Sequence, residues 1–268
     1  MRTLTLALLN FFVLTALSNL SANPVKQQSG TEWLDRTANF YKQLHSFDGS
    51  SHITETIRGG ATLESDINFM LMRPNLIKID ITNSQLGGGR VVVCNGKNLI
   101  IYNKSANRYQ IFPASSTFTQ LLPILRKQAQ IGFSLDPIFF FIGEPLPHSL
   151  RIDPHVKNIV HNGVKSTIVY ATSIPDTAAK RMKQIAMHWE WIINSKSGMI
   201  QEIHAQSNSF KVSVPSLIKS KKSVGLQHTS TALTIQLDYL ASNANPNLSS
   251  NSFVANMKPG AKRVGARK

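Results

Sequence analysis

The chain has 268 residues, 42% hydrophobic and 16% charged, which suits one large or two small folded domains made of many short apolar elements. Lys and Arg outnumber Asp and Glu by 29 to 14, and a formal charge of +15 favours anionic surfaces, either nucleic acid or lipid head groups. The basic residues are dispersed, however, with short clusters only at Lys219–Lys222 and in the last eleven residues. No zinc-finger spacing, RNA-binding aromatic motif or dense basic helix accompanies them, which speaks against nucleic acid, and the single cysteine, Cys94, excludes an internal disulfide.

The amino terminus, "MRTLTLALLNFFVLTALSNLSANP", has one basic residue, Arg2, an apolar stretch from Leu4 to Leu17, and small residues at Ser18, Ser21 and Ala22. This is the layout of a secretory signal, with an apolar core too short for a comfortable membrane span. Residues 1–22 are therefore expected to be a cleaved leader, the alternative being an uncleaved anchor helix. No cysteine lies near the cleavage zone, so the chain is not itself a lipoprotein. The leader takes away one basic residue and no acidic one, so the basic character belongs to the exported protein.

After the leader, "SGTEWLDRTANFYKQLHSF" predicts a helix. Ser29 and Glu32 have capping-box spacing, and Trp33, Leu34, Ala38, Tyr41 and Leu44 recur at helical intervals. Then "FMLMRPNLIKID" (residues 69–80) reads as two strands separated by Arg73-Pro74, since proline has no amide hydrogen for a ladder and extends its predecessor. Strand signals continue in "GGGRVVVCNGKNLIIYN", around an Asn95-Gly96 turn, and in "NRYQIF". The stretch "SSTFTQLLPILRKQAQIGFSLDPIFFFIGEPLP" breaks the pattern with two helix candidates. The second has Asp136 as N-cap and Pro137 at its first position, followed by Phe139, Phe140 and Phe141. With no polar face, it is either a buried core helix or a lid over an apolar cavity.

Further on, "NIVHNGVKSTIVYAT" predicts a hairpin about Asn162-Gly163. In "QIAMHWEWIINSKSGMIQEIHAQ" the residues Ile185, Met187, Trp189, Trp191 and Ile193 share a face before a turn at Ser197-Gly198. "TALTIQLDYL" alternates Leu233, Ile235, Leu237 and Tyr239, and "ASNANPNLSSNS" is expected to be a loop. About ten closely spaced strands argue for an antiparallel, mainly β architecture. No linker or repeat divides the chain, so one domain is expected over residues 30–264, with a basic tail at 265–268.

Motifs of catalysis are missing. There is no G-x-S-x-G elbow, no phosphate-binding glycine loop, and no H-E-x-x-H or paired-cysteine spacing. The glycines of "QLGGGRV" lie between strands and read as a hairpin loop. His45, His52, His148 and His155 lack ligand spacing on a defined element, so no metal or cofactor is expected. A curved sheet with helices over one face can instead enclose an apolar cavity suited to acyl chains, whose burial is worth roughly 0.8 kcal/mol per CH₂.

The motifs, taken in order, resemble the LolA family of periplasmic outer-membrane lipoprotein carriers and their uncharacterised relatives. The matching stretches are "FMLMRPNLIKIDI", "RVVVCNGKNLIIYNKSANRYQIF", the helix before Ser46-Phe47, "HWEWIINSKSGMIQEI" and the closing "SFVANMKPGAKRV". The resemblance covers nearly the whole exported chain and implies an incomplete antiparallel β-barrel whose concave face is capped by the N-terminal helix and short central helices. It also implies a periplasmic binding or carrier protein without catalysis, taking an acylated lipoprotein or lipid and meeting an inner- or outer-membrane protein; the positive charge adds an anionic membrane surface as a partner. The residues expected to line the cavity and lid are Trp33, Tyr41, Phe69, Leu71, Phe139, Phe140 and Phe141. Arg73 matches the family arginine that ties down the lid; the alternative for it is a solvated charge at a strand end. Asn95 stands where the family usually has Asp, and the chain is longer and more basic than a typical carrier, which leaves the cargo open. A sensor of mislocalised lipoproteins, like RseB, would carry similar motifs; such sensors usually have a second domain, which the sequence does not show.

Overall fold

The computed structural model describes residues 28–57, 60, 62–83, 88–125, 136–143, 146–173, 186–207, 210–215 and 226–265, with the backbone alone for 210–215 and 226–231. The expected leader, the Lys219–Lys222 cluster, Ile185 and the last three residues lie outside them.

Helix α1 (Gly30–Gln43) comes first, followed by strands β1 (Ser46–Ile57), β2 (Thr62–Met72), β3 (Leu76–Asn83), β4 (Gly88–Cys94), β5 (Asn98–Asn103) and β6 (Arg108–Pro113). Two short helices, α2 (Phe118–Ile124) and α3 (Pro137–Ile142), interrupt the sheet. After them run β7 (Leu150–His161), β8 (Val164–Ser173), β9 (Met187–Asn194), β10 (Ile200–Ser207), β11 (Phe210–Pro215), β12 (Leu226–Thr231), β13 (Leu233–Ala244) and β14 (Lys262–Arg263). Twelve strands form one sheet in the order β14-β6-β5-β4-β3-β2-β1-β13-β10-β9-β8-β7, and β11 pairs with β12 apart from it. The sheet is curved and open, with β14 and β7 as its ends, in agreement with the incomplete barrel that the sequence implies.

Fourteen strands are described where the sequence suggested about ten. The largest addition is β1, which lies between β13 and β2 in the sheet and pairs with both along most of its length. Its composition hid it: SFDGSSHITETI is mostly small and polar. Gly49 is there for space, because a Cβ would lie 2.3 Å from Ala241 O and 2.8 Å from the Phe69 ring. Nor is "ASNANPNLSSNS" all loop: its first four residues extend β13, and the loop begins after Ala244.

Alternation along the strands gives the sheet two apolar faces. Val92 and Cys94 join the main core with Leu34, Tyr41, Phe47, Phe69, Trp191 and the helices, whereas Val91 and Val93 face the other way. On that outer face Phe253 packs with Leu76 and Tyr102. The carboxy-terminal stretch thus crosses the outside of the sheet and ends as β14, parallel to β6 through Lys262↔Arg108 and Arg263↔Tyr109. This pair is the exception to the antiparallel pattern, and it arises because the chain returns along the edge of β6 instead of turning back on it.

The expected hairpins are in place. Asn162 and Gly163 take φ values of 51° and 77°, the positive pair that a two-residue turn between β7 and β8 requires. In the β4–β5 turn the Asn95 side chain accepts hydrogen bonds from the Lys97 and Asn98 amides at 3.1 and 2.9 Å. An aspartate would accept the same two bonds, so Asn at this position changes nothing in the turn.

Candidate functional site

The site is built where α1, the β2–β3 turn and α3 meet. Helix α1 begins with a complete capping box: the Glu32 amide donates to Ser29 Oγ at 3.3 Å, and the Ser29 amide donates to the Glu32 carboxylate at 2.6 Å. Its buried stripe, which includes Trp33, Leu34 and Tyr41, faces the sheet. The last turn leaves carbonyls without helical partners. Helix α3 is set by its ends. Asp136 caps it by accepting the Phe139 amide at 2.8 Å, Pro137 starts it, and Gly143, at φ 84°, closes it by donating to the Phe139 and Phe140 carbonyls. That closure leaves the Phe141 carbonyl for a partner from outside.

Arg73 is that partner. It sits in the turn between β2 and β3, and the Arg73–Pro74 peptide bond is cis. The Arg73 amide donates to His45 O at 2.9 Å, and Nε donates to Leu44 O at 2.9 Å. One terminal nitrogen donates to Phe141 O at 2.6 Å and stands 3.5 Å from Tyr41 O. The guanidinium carbon lies 4.6 Å from the Phe141 ring centroid. A single cation therefore serves the carboxy-terminal ends of two helices, which is where the helix dipole favours positive charge. Burial draws the Arg73 pKa below its ordinary value.

Around the guanidinium the aromatic rings touch in series. Tyr41 stacks on Phe140 at 6.2 Å and Phe47 on Phe141 at 6.1 Å, Phe118 of α2 meets Phe141 edge-on at 5.7 Å, and Phe47 contacts Phe69 at 5.1 Å. Phe139, Phe140 and Phe141 are all buried in the main core, as is Leu71. Of the residues singled out from the sequence, Tyr41, Phe69, Leu71, Arg73, Phe139, Phe140 and Phe141 thus share one neighbourhood. Trp33 belongs to the same core but turns its ring to the other end of α1, under Arg36 at 4.8 Å and beside β7 and β8. Phe47 and Phe118 complete the cluster and were not singled out; each is a lone aromatic in a polar stretch, so neither the strand nor the helix signal marks it.

Two titratable features accompany the cluster. Burial pushes the Asp136 carboxyl up to about 6, against the amide hydrogen bonds of its cap, which act to lower it. Burial also raises the Tyr41 and Tyr239 phenols. The Tyr41 hydroxyl accepts the Ile200 amide at 3.1 Å and so ties α1 to β10.

Residues 30–172 match the family described as "Predicted periplasmic protein (DUF2092)". The chain belongs to this family. Its place is accordingly the periplasm, and the matched stretch takes in α1, Arg73 and α3. No curated protein matches the sequence. Similar solved structures include an uncharacterised conserved protein of Thermus thermophilus, at 10% identity and TM-score 0.44, over 88% of this chain and 98% of that one. A LolA superfamily protein of Nitrosomonas europaea is similar at 11% identity and TM-score 0.33, over 86% of this chain and 99% of that one. The Pseudomonas aeruginosa MucA/MucB complex is similar at 13% identity and TM-score 0.39, over 85% of this chain and 61% of that one. These three are similarities of overall shape.

Proposed function

We infer that this periplasmic protein binds and shields acyl chains, those of a lipid or of an acylated protein, beneath a lid formed by α3, and performs no catalysis. The observation that carries the reading is the triple use of Arg73, which joins the end of α1, the β2–β3 turn and the Phe141 carbonyl of α3. A short helix whose six residues are all buried, and which belongs neither to the sheet nor to a long helix, is held by its caps, its rings and this one cation. Displacing it would uncover Tyr41 and Phe47, on which its rings stack, an apolar surface to which methylene groups would transfer favourably from water. The closed arrangement is then the empty one, with aromatic side chains occupying the space of the ligand.

Native mass spectrometry of the protein recovered from a periplasmic extract tests the reading. The expected spectrum contains an added mass that extraction with organic solvent removes and that fragments as an acyl compound. Protein that carries no such mass, and takes up no fatty-acid probe when supplied with one, would leave α3 as a core helix and nothing more. Co-recovery of a membrane protein with acyl-loaded but not with empty protein would assign the same site to a regulatory module instead of a carrier.

A further inference from the structure

The end of the sheet beside the amino-terminal half of α1 carries a surface that the lid does not use. There the β7–β8 hairpin ends in Val160, 71% exposed, and Val164, 37% exposed. The two lie on opposite faces of the hairpin. Val160 is paired with Lys165, on the side of the recess that Trp33 and Arg36 line, whereas Val164 is paired with His161, which reaches Glu202 at 3.3 Å. The tip is therefore apolar on both sides.

Cations surround it. Lys157, Lys165 and Lys196 are exposed. The β9–β10 turn that bears Lys196 is fastened to the tip, with the Ser195 amide donating to Lys165 O at 3.0 Å and the Ser195 and Thr167 hydroxyls 3.0 Å apart. Arg36 joins the group by donating to Lys196 O at 2.9 Å. Between Arg36 and Lys165 opens a recess of about 610 Å³. On the Val164 face the neighbouring acid is Glu202, which His161 meets at 3.3 Å. Glu32 and Asp35 lie nearby on α1, and Glu32 is engaged in the capping box.

An isolated exposed valine is ordinary. Two of them on both faces of a hairpin tip, ringed by lysines, form a wedge for the boundary between head groups and acyl chains, with the ammonium groups at the level of the phosphates. We propose that the β7–β8 tip docks this protein on an anionic phospholipid surface. No helix among the described residues is long and apolar enough to cross a membrane. The docking stands independently of what binds beneath α3.

The test is co-sedimentation of the protein, recovered from a periplasmic extract, with phosphatidylcholine vesicles with and without phosphatidylglycerol. The protein should bind the anionic vesicles and hardly the neutral ones. Each lysine near an anionic surface contributes about fivefold, so combining Lys157→Gln, Lys165→Gln and Lys196→Gln should weaken binding about 100-fold. Val160→Ser with Val164→Ser should weaken it about tenfold, with melting unchanged because these side chains are exposed. Lys42→Gln, Lys97→Gln and Lys262→Gln together remove equal charge elsewhere and should change binding little. Arg73→Leu should leave vesicle binding intact, which separates docking from the lid. Equal losses in the two triple variants, or no binding by the wild type, would overturn the proposal. Binding to native membranes but not to protein-free vesicles would identify a protein as the occupant and overturn it equally.

Discussion

Replacing Arg73 by Leu removes the guanidinium and leaves the Leu44 and Phe141 carbonyls without their donor. A hydrogen bond from a charged donor contributes about 1.5–3 kcal/mol, and the cation over the Phe141 ring adds about 0.5–1 kcal/mol at a part-exposed site. Only the Phe141 contacts bear on the lid; the Leu44 bond joins α1 to the turn and bears on general stability. Partial exposure of the arginine brings the figure for the lid toward the lower end, about 1.5–3 kcal/mol, so closure should weaken by about tenfold to a hundredfold. If the lid covers the acyl site, a fluorescent fatty-acid probe should bind Arg73→Leu tighter by the same factor, while a thermal melt still shows a cooperative transition at a lower temperature. Arg73→Lys should fall between, because an ammonium cannot make the planar fork that reaches Leu44 and Phe141 together. Equal probe affinity in the three proteins, with the melts separated as expected, would refute the latch and leave Arg73 as a structural cap of α1.

The remaining expectations concern the leader, the buried acid, the crowded glycine and the first helix. Amino-terminal sequencing of the exported protein should begin between Asn19 and Asn23; a membrane-bound product starting at Met1 would favour the anchor. Asp136 has a folded pKa raised from 3.8 to about 6, so the folded state holds more protons than the unfolded one in that interval, and stability should fall as pH rises from about 4 to 6. Asp136→Asn keeps a capping side chain and abolishes that slope, so its advantage over the wild type should be up to about 3 kcal/mol at pH 7 and vanish near pH 4; parallel melts at both pH values would count against a buried ionised carboxyl. Gly49→Ala places a methyl 2.3 Å from Ala241 O and should cost about 1–3 kcal/mol in denaturant unfolding, unless β13 moves away. Ser29→Ala breaks the capping box of α1 and should cost about 1 kcal/mol by the same measurement.

Much of the fold was legible because its signals are local. Ser29 and Glu32 declare the start of α1 through a hydrogen-bond pair three residues apart, and Asn162-Gly163 declares a hairpin through backbone angles that few other residues adopt. Asp136 and Pro137 likewise mark the start of α3 with chemistry visible in two residues. What was hidden depends on distant partners. Strand β1 has few large apolar residues, and its place is supplied by two long neighbours that pair along it, one of them almost 200 residues away in β13. The path of β14 was hidden for the same reason: Lys262 and Arg263 acquire strand geometry only by lying against Arg108 and Tyr109.

The candidate site divides along the same line. Arg73 drew attention because a charge beside a proline interrupts an apolar run, and its position between β2 and β3 followed from the proline alone. The family resemblance anticipates its bond to the central helices, met at Phe141, but not those to Leu44 and Tyr41 at the end of α1; all three contribute backbone carbonyls, and a carbonyl leaves no mark on a sequence. The three phenylalanines were conspicuous by repetition. Phe47 was not, although it sits at the centre of the ring series, between Tyr41, Phe69 and Phe141. Trp33 shows the converse. Its helical spacing with Tyr41 correctly puts both on the buried face of α1, yet two turns of helix separate them by about 12 Å along the axis. That distance is enough to place Tyr41 against Phe140 of α3 and Trp33 beside the β7–β8 hairpin. Periodicity fixes the face of a helix that is buried, and the position along that face decides which of two neighbouring surfaces a residue serves.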